Sequence, residues 1–348
     1  MDNLPFVSIV VLCRNERDFI ANCLNSFLEN DYPNERLEVL VTDGMSEDGT
    51  RDIVKSYSNK HPFIKLVDNP QKIPATAANQ GIKVAKGDFV MIVGAHAHYP
   101  ADYVSKSVAF ALRYPAADNI GGVRRTEARE NTVLGKSIAY VSSHRFGAGA
   151  AMYHRSRSSP SWVDSVWGGF YRKEVFEKLG LYNENLVVGE DREFNRRLRS
   201  SGGKILQVPE IKCTYYARSN FRDFCRWAFR MGFWPFYADR LVELRILSLR
   251  NFVPVALIFC LLLLLGIALL SPAGWLPFWL VLFAYALGAV VSSVPLAISE
   301  RKLSYLVTAP FVFCITHFLY AIGSVYGVLK PAQRRPEPDI PVRQETTA

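Results

Sequence analysis

The first hundred or so residues alternate short apolar runs with amphipathic stretches. Val7 to Leu12 is a continuous, largely β-branched run, the pattern of a strand covered on both faces. After a polar turn, Cys13-Arg14-Asn15-Glu16, the positions Phe19, Ile20, Cys23, Leu24, Phe27 and Leu28 recur at helical spacing, and Tyr32-Pro33-Asn34 ends that helix. Leu37 to Val41 reads as a second strand, Arg51 to Asn59 as a second helix and Ile64 to Val67 as a third strand. Thr76 to Ala85 reads as a helix and Asp88 to Val93 as a fourth strand. Strand–helix alternation with short links predicts an α/β fold, a parallel-dominated sheet wound in βαβ units. From Arg124 to Ser161 the chain is polar, basic and glycine-bearing, and mobile loops are expected there.

The pattern changes near Arg250. Phe252 to Leu270 and Leu276 to Ile298 carry no charged residue, and each is close to the ~20 apolar residues that cross a bilayer. Leu306 to Leu329 is a third apolar stretch, interrupted by Thr308, Thr316 and His317, so a membrane region of two to three helices is expected. Met1 to Pro5 shows no basic region followed by an apolar core, which gives no sign of a cleavable signal peptide. Arg245 and Arg250 precede the first span, Arg301 and Lys302 follow the second, and the loop from Ser271 to Trp275 is uncharged. That asymmetry places both flanks, and the front domain with them, in the cytoplasm. A third crossing would export a tail carrying Lys330, Arg334 and Arg335, against the same rule. The expected divisions are a catalytic-type domain over 1–217, an amphipathic juxtamembrane region over 218–250, membrane helices over 251–330 and a polar tail over 331–348. The expected location is the inner, cytoplasmic membrane.

Charge sharpens this picture at one place. The 348 residues have a formal net charge of +9, and between Lys212 and Arg250 eight basic residues face three acidic ones. Arg222, Arg226 and Arg230 recur every four positions, so they share one side of a helix. Phe221, Phe224, Trp227, Phe229, Phe233 and Trp234 supply apolar bulk, and the whole reads as an amphipathic helix on the membrane surface. Each arginine near an anionic leaflet contributes about 1 kcal/mol. No nucleic-acid motif appears and the front domain is not basic enough for that partner. The six cysteines show no C-x-x-C pair, as expected of reduced structural thiols. There is no G-x-G-x-x-G after the first strand and no P-loop.

Candidate chemistry collects where ligands bind in α/β sheets, beyond the carboxyl ends of strands. The turn after strand one holds Asn15 and Glu16. After strand two comes Val41-Thr42-Asp43-Gly44-Met45-Ser46-Glu47-Asp48-Gly49-Thr50, and after strand four Gly94-Ala95-His96-Ala97-His98-Tyr99-Pro100. A fourth group is Gly189-Glu190-Asp191, preceded by Trp167-Gly168-Gly169-Phe170. Singly, each has an ordinary explanation, since Asp, Gly and Ser build turns and acidic residues favour the first turn of a helix.

Taken in order, the four groups resemble glycosyltransferase family 2, whose members use nucleotide sugars on the GT-A fold. The resemblance covers Val7 to Tyr237 and includes the run from Ala77 to Asp88 and the W-G-G-F-x-R-x-x-V pattern from Trp167 to Val175. The subgroup it is most similar to is the membrane-bound glucosyltransferases of succinoglycan-type exopolysaccharide synthesis, whose D-A-H-A-x-Y-P signature is nearly reproduced at Gly94 to Pro100. The resemblance implies that Asp43, with Asn15, Glu16, Asp48 and Asn79, lies on the donor side. It implies that His96 stands at the metal position, which suits Mn²⁺ better than Mg²⁺, and that Gly94 replaces an expected Asp. It makes Asp191, beside Glu190, the general base of an inverting transfer, and it puts Trp167, Gly168, Gly169, Arg226 and Trp227 on the acceptor side. Processive members carry Q-x-x-R-W; here Asp223 replaces the Gln, so addition of a single sugar is expected. The implied donor is UDP-glucose and the implied acceptor a polyprenyl-diphosphate-linked saccharide. Two other readings stay open, a transferase loading a sugar directly onto polyprenyl phosphate, and a non-catalytic scaffold. Gly94 favours the scaffold, whereas Asp43, Glu190 and Asp191 oppose it.

Overall fold

In the computed structural model, residues 4–147 and 158–334 are described. β1 (Val7–Cys13) is followed by α1 (Ile20–Leu28), β2 (Leu37–Asp43), α2 (Thr50–Lys60), β3 (Ile64–Asp68), α3 (Pro74–Val84) and β4 (Phe89–Gly94). These strands pair parallel in the order β3-β2-β1-β4. Alternate residues of β1 serve opposite faces, as strand geometry requires. Val7, Ile9 and Val11 pack with Ile20, Leu24, Phe27 and Val54 of α1 and α2, while Val10 packs with Ile82 of α3. The approach of α3 is close because residue 81 is glycine: a Cβ there would lie 2.3 Å from Val10 Cγ1.

The second half is mixed rather than parallel. After β5 (Ala97–His98) and α4 (Tyr103–Arg113) come β6 (Asn119–Ala128), α5 (Val133–Ser143), β7 (Ser161–Trp162), β8 (Trp167–Arg172), α6 (Glu174–Leu179), α7 (Glu190–Ser200) and β9 (Ile205–Ala217). β8 runs antiparallel between β4 and β6, β6 pairs parallel with β9, and β5 and β7 pair antiparallel with β9. The expectation of loops from Arg124 to Ser161 is therefore corrected. Arg124 to Ala128 extend β6 along β9, and α5 is a helix whose Ile138 and Val141 are buried. Part of that stretch, residues 148–157, lies outside the described residues.

The last elements are α8 (Phe221–Ala238), α9 (Leu249–Leu270), α10 (Trp275–Glu300) and α11 (Tyr305–Leu329). The last three are long and apolar enough to cross a membrane. Much of the apolar side of α8, expected from the sequence to lie on the membrane surface, packs against α11. A Cβ on Gly232 would lie 1.9 Å from the Tyr320 carbonyl oxygen, and one on Gly323 would lie 2.2 Å from that of Phe229, so the two backbones nearly touch. Ile138 and Val141 of α5, Phe224 of α8, Ala289 and Leu296 of α10, and Val312 and Phe313 of α11 form one buried cluster. The apolar helices are thus continuous with the sheet domain.

Gly81→Ala is expected to cost about 1–3 kcal/mol, the usual range for overpacking. Thermal unfolding of the purified protein checks it, and an unchanged midpoint would mean α3 can retreat from β1.

Candidate active site

Register decides which residues can meet. Leu12 of β1 lies opposite Thr42 of β2 and Gly94 of β4, and Cys13 lies opposite Asp43. The turns after β1, β2 and β4 therefore leave the sheet at one level. β8 is antiparallel to β4, with Met91 opposite Phe170, so its first residue, Trp167, comes to the same edge. β5 and the end of β9 join there too, with Ala97 opposite Tyr215.

Backbone and side chains tie the first two turns together. Asn15 is in the left-handed region at φ 53°, and its N–H donates to Ser46 Oγ at 2.8 Å while its Oδ1 accepts from Glu47 N at 3.1 Å. Met45 is also in the left-handed region, at φ 54°. Asp43 is fully buried, its carboxylate accepting from Ser46 N and from Arg51 Nη1, each at 2.8 Å, and from Ser46 Oγ at 2.5 Å. Asp48 accepts from Arg17 N at 3.1 Å and from Thr50 N and Oγ1 at 3.0 and 2.5 Å. Its carboxylate thus joins the β1 turn to the start of α2.

His96 and Glu16 meet across these turns, Nδ1 to Oε1 at 3.0 Å, with side chains 31% and 19% exposed. Burial alone would lower the His96 pKa, but Tyr215 and Glu16 outweigh it and raise it to about 9. The rings of His96 and Tyr215 stand edge to face, 4.8 Å between centroids. Burial pushes the Tyr215 hydroxyl up, while the neighbouring cations His96, Arg218 and Arg124 bring it down to about 8. The Arg124 guanidinium lies 4.3 Å from the Tyr215 ring centroid. Trp167 stacks on Tyr99 at 6.1 Å and meets Tyr215 edge-on at 6.2 Å, which brings it to the His96 group. Gly168 has φ +65°, and a Cβ there would lie 2.6 Å from Tyr103 Oη, two separate reasons for glycine. A Cβ on Gly169 would sit 2.4 Å from the Tyr171 ring.

Glu190 and Asp191 are carried by a different element, the first turn of α7, after Gly189 at φ +92°. Glu190 is half-buried and Asp191 exposed. Burial, and then the adjacent Asp191 carboxylate, pushes the Glu190 carboxyl above its ordinary range. Asn79, expected on the donor side, has its amide turned to the loop that precedes α7. It is buried, its Nδ2 donates to Tyr182 O at 2.9 Å and Glu184 Oε1 at 2.8 Å, and its Oδ1 accepts from Tyr182 N at 2.9 Å. These bonds tie α3 to the loop that leads to Glu190. Arg226 and Trp227 lie on α8, Arg226 paired with Asp223 at 3.1 Å and Trp227 stacked on Phe224 at 5.8 Å.

Sequence reading missed Tyr215, Arg124 and Arg218. Arg124 stands in a stretch recognised only as basic, and pairing of β6 with β9 brings it to the site.

Residues 8–180 match the model of Glycosyl transferase family 2. The chain belongs to this family. A Methanococcus voltae protein named dolichyl N-acetyl-alpha-D-glucosaminyl phosphate 3-beta-D-2,3-diacetamido-2,3-dideoxy-beta-D-glucuronosyltransferase is 28% identical over 333 residues, 94% of this chain and 98% of that one. Succinoglycan biosynthesis protein ExoA of Rhizobium meliloti is 29% identical over 214 residues, 61% of this chain and 63% of its own. The mannosyltransferase PcManGT from Pyrobaculum calidifontis, solved with GDP-Man and Mn²⁺, superposes with a TM-score of 0.57 at 20% identity, over 93% of this chain and 88% of that one. The fold of this family 2 glycosyltransferase is accordingly GT-A, followed by three apolar helices.

Because the His96 pKa is raised, its pairing stabilises the fold in full below the ordinary histidine value near 6.5, and that contribution is lost as pH rises through about 9. Glu16→Gln should lower the unfolding temperature at pH 6 and have little effect at pH 10. A gap between variant and parent that does not close over this range would refute the pairing.

Proposed function

We propose that this family 2 enzyme transfers a single hexose, with inversion, from a nucleoside diphosphate to a saccharide carried by a polyprenyl diphosphate at the cytoplasmic face of the membrane. UDP-glucose is the donor expected from the succinoglycan-type motif. The observation that carries the reading is how the site is fastened to the apolar helices. Leu186, four residues before Glu190, is buried against Phe233, Tyr237, Ala238 and Leu241, and α8 in turn packs along α11. An acceptor free in solution would need no such attachment. The Methanococcus voltae relative carries in its name an acceptor of related chemistry, a sugar on dolichyl phosphate.

Asp191 acts as general base. Its exposed carboxylate, at a helix start, takes the proton of an acceptor hydroxyl as that oxygen attacks the anomeric carbon. The bond from that carbon to the diphosphate breaks on the opposite face, and the nucleoside diphosphate leaves with the electron pair. Glu190, being harder to ionise, keeps a second negative charge away from Asp191. On the donor side, Asn15 and Glu16 shape the turn around Asp43.

A divalent ion fits this site through its donor chemistry. Glu16 on His96 Nδ1 is the carboxylate–histidine arrangement that orients metal-ligating imidazoles, with Nε2 as the ligand atom. Among the described residues no three His, Cys, Asp or Glu form a site of their own, so the nucleotide phosphates would complete the coordination, as they do for Mg²⁺. A divalent ion held there by His96 would supply positive charge against the leaving diphosphate.

Asp191→Asn should lower turnover by about 10²–10⁴-fold. Glu190→Gln should retain most activity at pH 7 and remove any inflection in rate near pH 8. UDP release from UDP-glucose with lipid-linked oligosaccharide and with bare polyprenyl phosphate tests both residues and acceptor. Release with bare polyprenyl phosphate alone would replace the proposed acceptor, and full activity of Asp191→Asn would remove the proposed base.

Chelation should abolish release and Mn²⁺ restore it, with less Mn²⁺ needed as pH rises from 7 to 9 and His96 loses its proton. A Cβ on Gly94 meets nothing closer than His96 Cε1 at 4.0 Å. Gly94→Asp should therefore fold normally and shift the preference toward Mg²⁺; an unchanged Mn²⁺/Mg²⁺ ratio would argue against a metal at this loop.

A further inference from the structure

α11 is long enough to span a bilayer, yet chain that precedes the first span holds it from end to end. We propose that α11 lies in the plane of the membrane, on the side of the catalytic domain, with its outward apolar stripe immersed in lipid. The chain then crosses twice, through α9 and α10, and its C-terminus returns to the catalytic side. The inference rests on the membrane attachment proposed above.

At the near end, Thr308 Oγ1 lies 3.0 Å from Ser137 Oγ of α5, and Lys136 pairs with Glu300 just before α11 begins. Farther along, His317 Nε2 donates to the Phe146 carbonyl at 2.7 Å. At the far end, Arg240 Nη2 donates to the carbonyls of Gly327 and Lys330 at 2.6 and 2.5 Å, and Gln333 N donates to Tyr237 Oη at 3.2 Å. Between these points α8 and α11 run side by side in the same direction, from Phe221 on Phe311, through Phe233 on Tyr326, to Tyr237 beside Gln333.

If α11 crossed, α8 would have to cross with it. That would bring Arg222, Asp223, Arg226 and Arg230 into the bilayer, where an arginine at mid-depth costs about 2.5–3.5 kcal/mol on insertion scales. It would also draw in Leu186, which packs on Phe233 and Tyr237, and with it the catalytic turn four residues on. α9 behaves differently: Asn251, in its first turn, donates to Tyr320 Oη and Phe252 meets Phe236, while Leu262, Leu263, Leu269 and Leu270 farther along are exposed. α10 is held from Tyr285 onward, where Tyr285 Oη lies 2.9 Å from His317 Nδ1 and Tyr140 Oη donates to the Ser292 carbonyl at 2.7 Å; Trp275, Leu276, Trp279, Leu280 and Phe283 before that point are exposed.

The free side of α11 matches an in-plane helix. Val307, Phe311, Phe318, Ile322, Val325 and Leu329 fall within one narrow sector and are 43–73% exposed. Tyr305, Ala309, Val312, Thr316, Gly323 and Gly327 occupy the opposite side and are buried. A one-sided apolar stripe continuous with two lipid-facing helices fits the acyl boundary of a bilayer. The arrangement also removes the conflict over the basic tail, because Lys330 and Arg334 then share a side with Arg240, Arg245 and Arg250.

The test is protease protection of the full chain, tagged separately at its N- and C-terminus and expressed in a bacterial inner membrane. Loss of both tags in inside-out vesicles, and retention of both in right-side-out vesicles, is expected. Tags lost from opposite vesicle orientations would overturn the in-plane placement. Alkaline carbonate extraction run in parallel isolates the underlying reading: release of the protein into the soluble fraction would refute membrane integration itself, whatever the tags show.

Discussion

The parallel register at β1 is the constraint on which the site depends. Because β1 lies between β2 and β4, and Leu12 faces both Thr42 and Gly94, three loops far apart in sequence end at one height above the sheet. A slip of one residue in either pairing would exchange the side chains of the two packed faces, so the core that fills both faces also fixes where Glu16, Asp43 and His96 stand. The antiparallel return of β8 adds Trp167 to the same edge. Catalytic geometry here is a by-product of core packing.

Two carboxylates at the site have opposite surroundings. Glu16 faces an imidazole whose proton it helps to retain, while burial and the neighbouring Asp191 make Glu190 harder to ionise. The proposed donor side and the proposed base therefore differ in their electrostatic surroundings. The Asn79 bonds to Tyr182 and Glu184 connect the two through α3.

Much of this was legible in the sequence because it is local. The apolar runs of β1, β2, β3 and β4 and the periodic stripe of α1 state their own structure, and the turn residues after them announce the edge where chemistry gathers. What escaped depends on distant pairing. Tyr215 and Arg124 reach His96 only because β9 pairs with both β6 and β5, and nothing near either residue signals it. Asn79 belongs to a recognisable run, but the partner of its amide lies about a hundred residues away. The apolar side of α8 was read correctly as apolar, but its packing on α11 was not legible, since composition does not tell a lipid tail from the face of another helix.

The close seam between α8 and α11 also changes what counts as a domain. Hydropathy draws a boundary near Arg250, where a chain might be cut to free a water-soluble catalytic half. Phe224 and Gly232 would then lose the helix that covers them, on the same α8 whose Phe233 packs against Leu186, four residues before Glu190. The unit that folds is larger than the unit that performs the chemistry, and its last third completes a core that its first two thirds leave open.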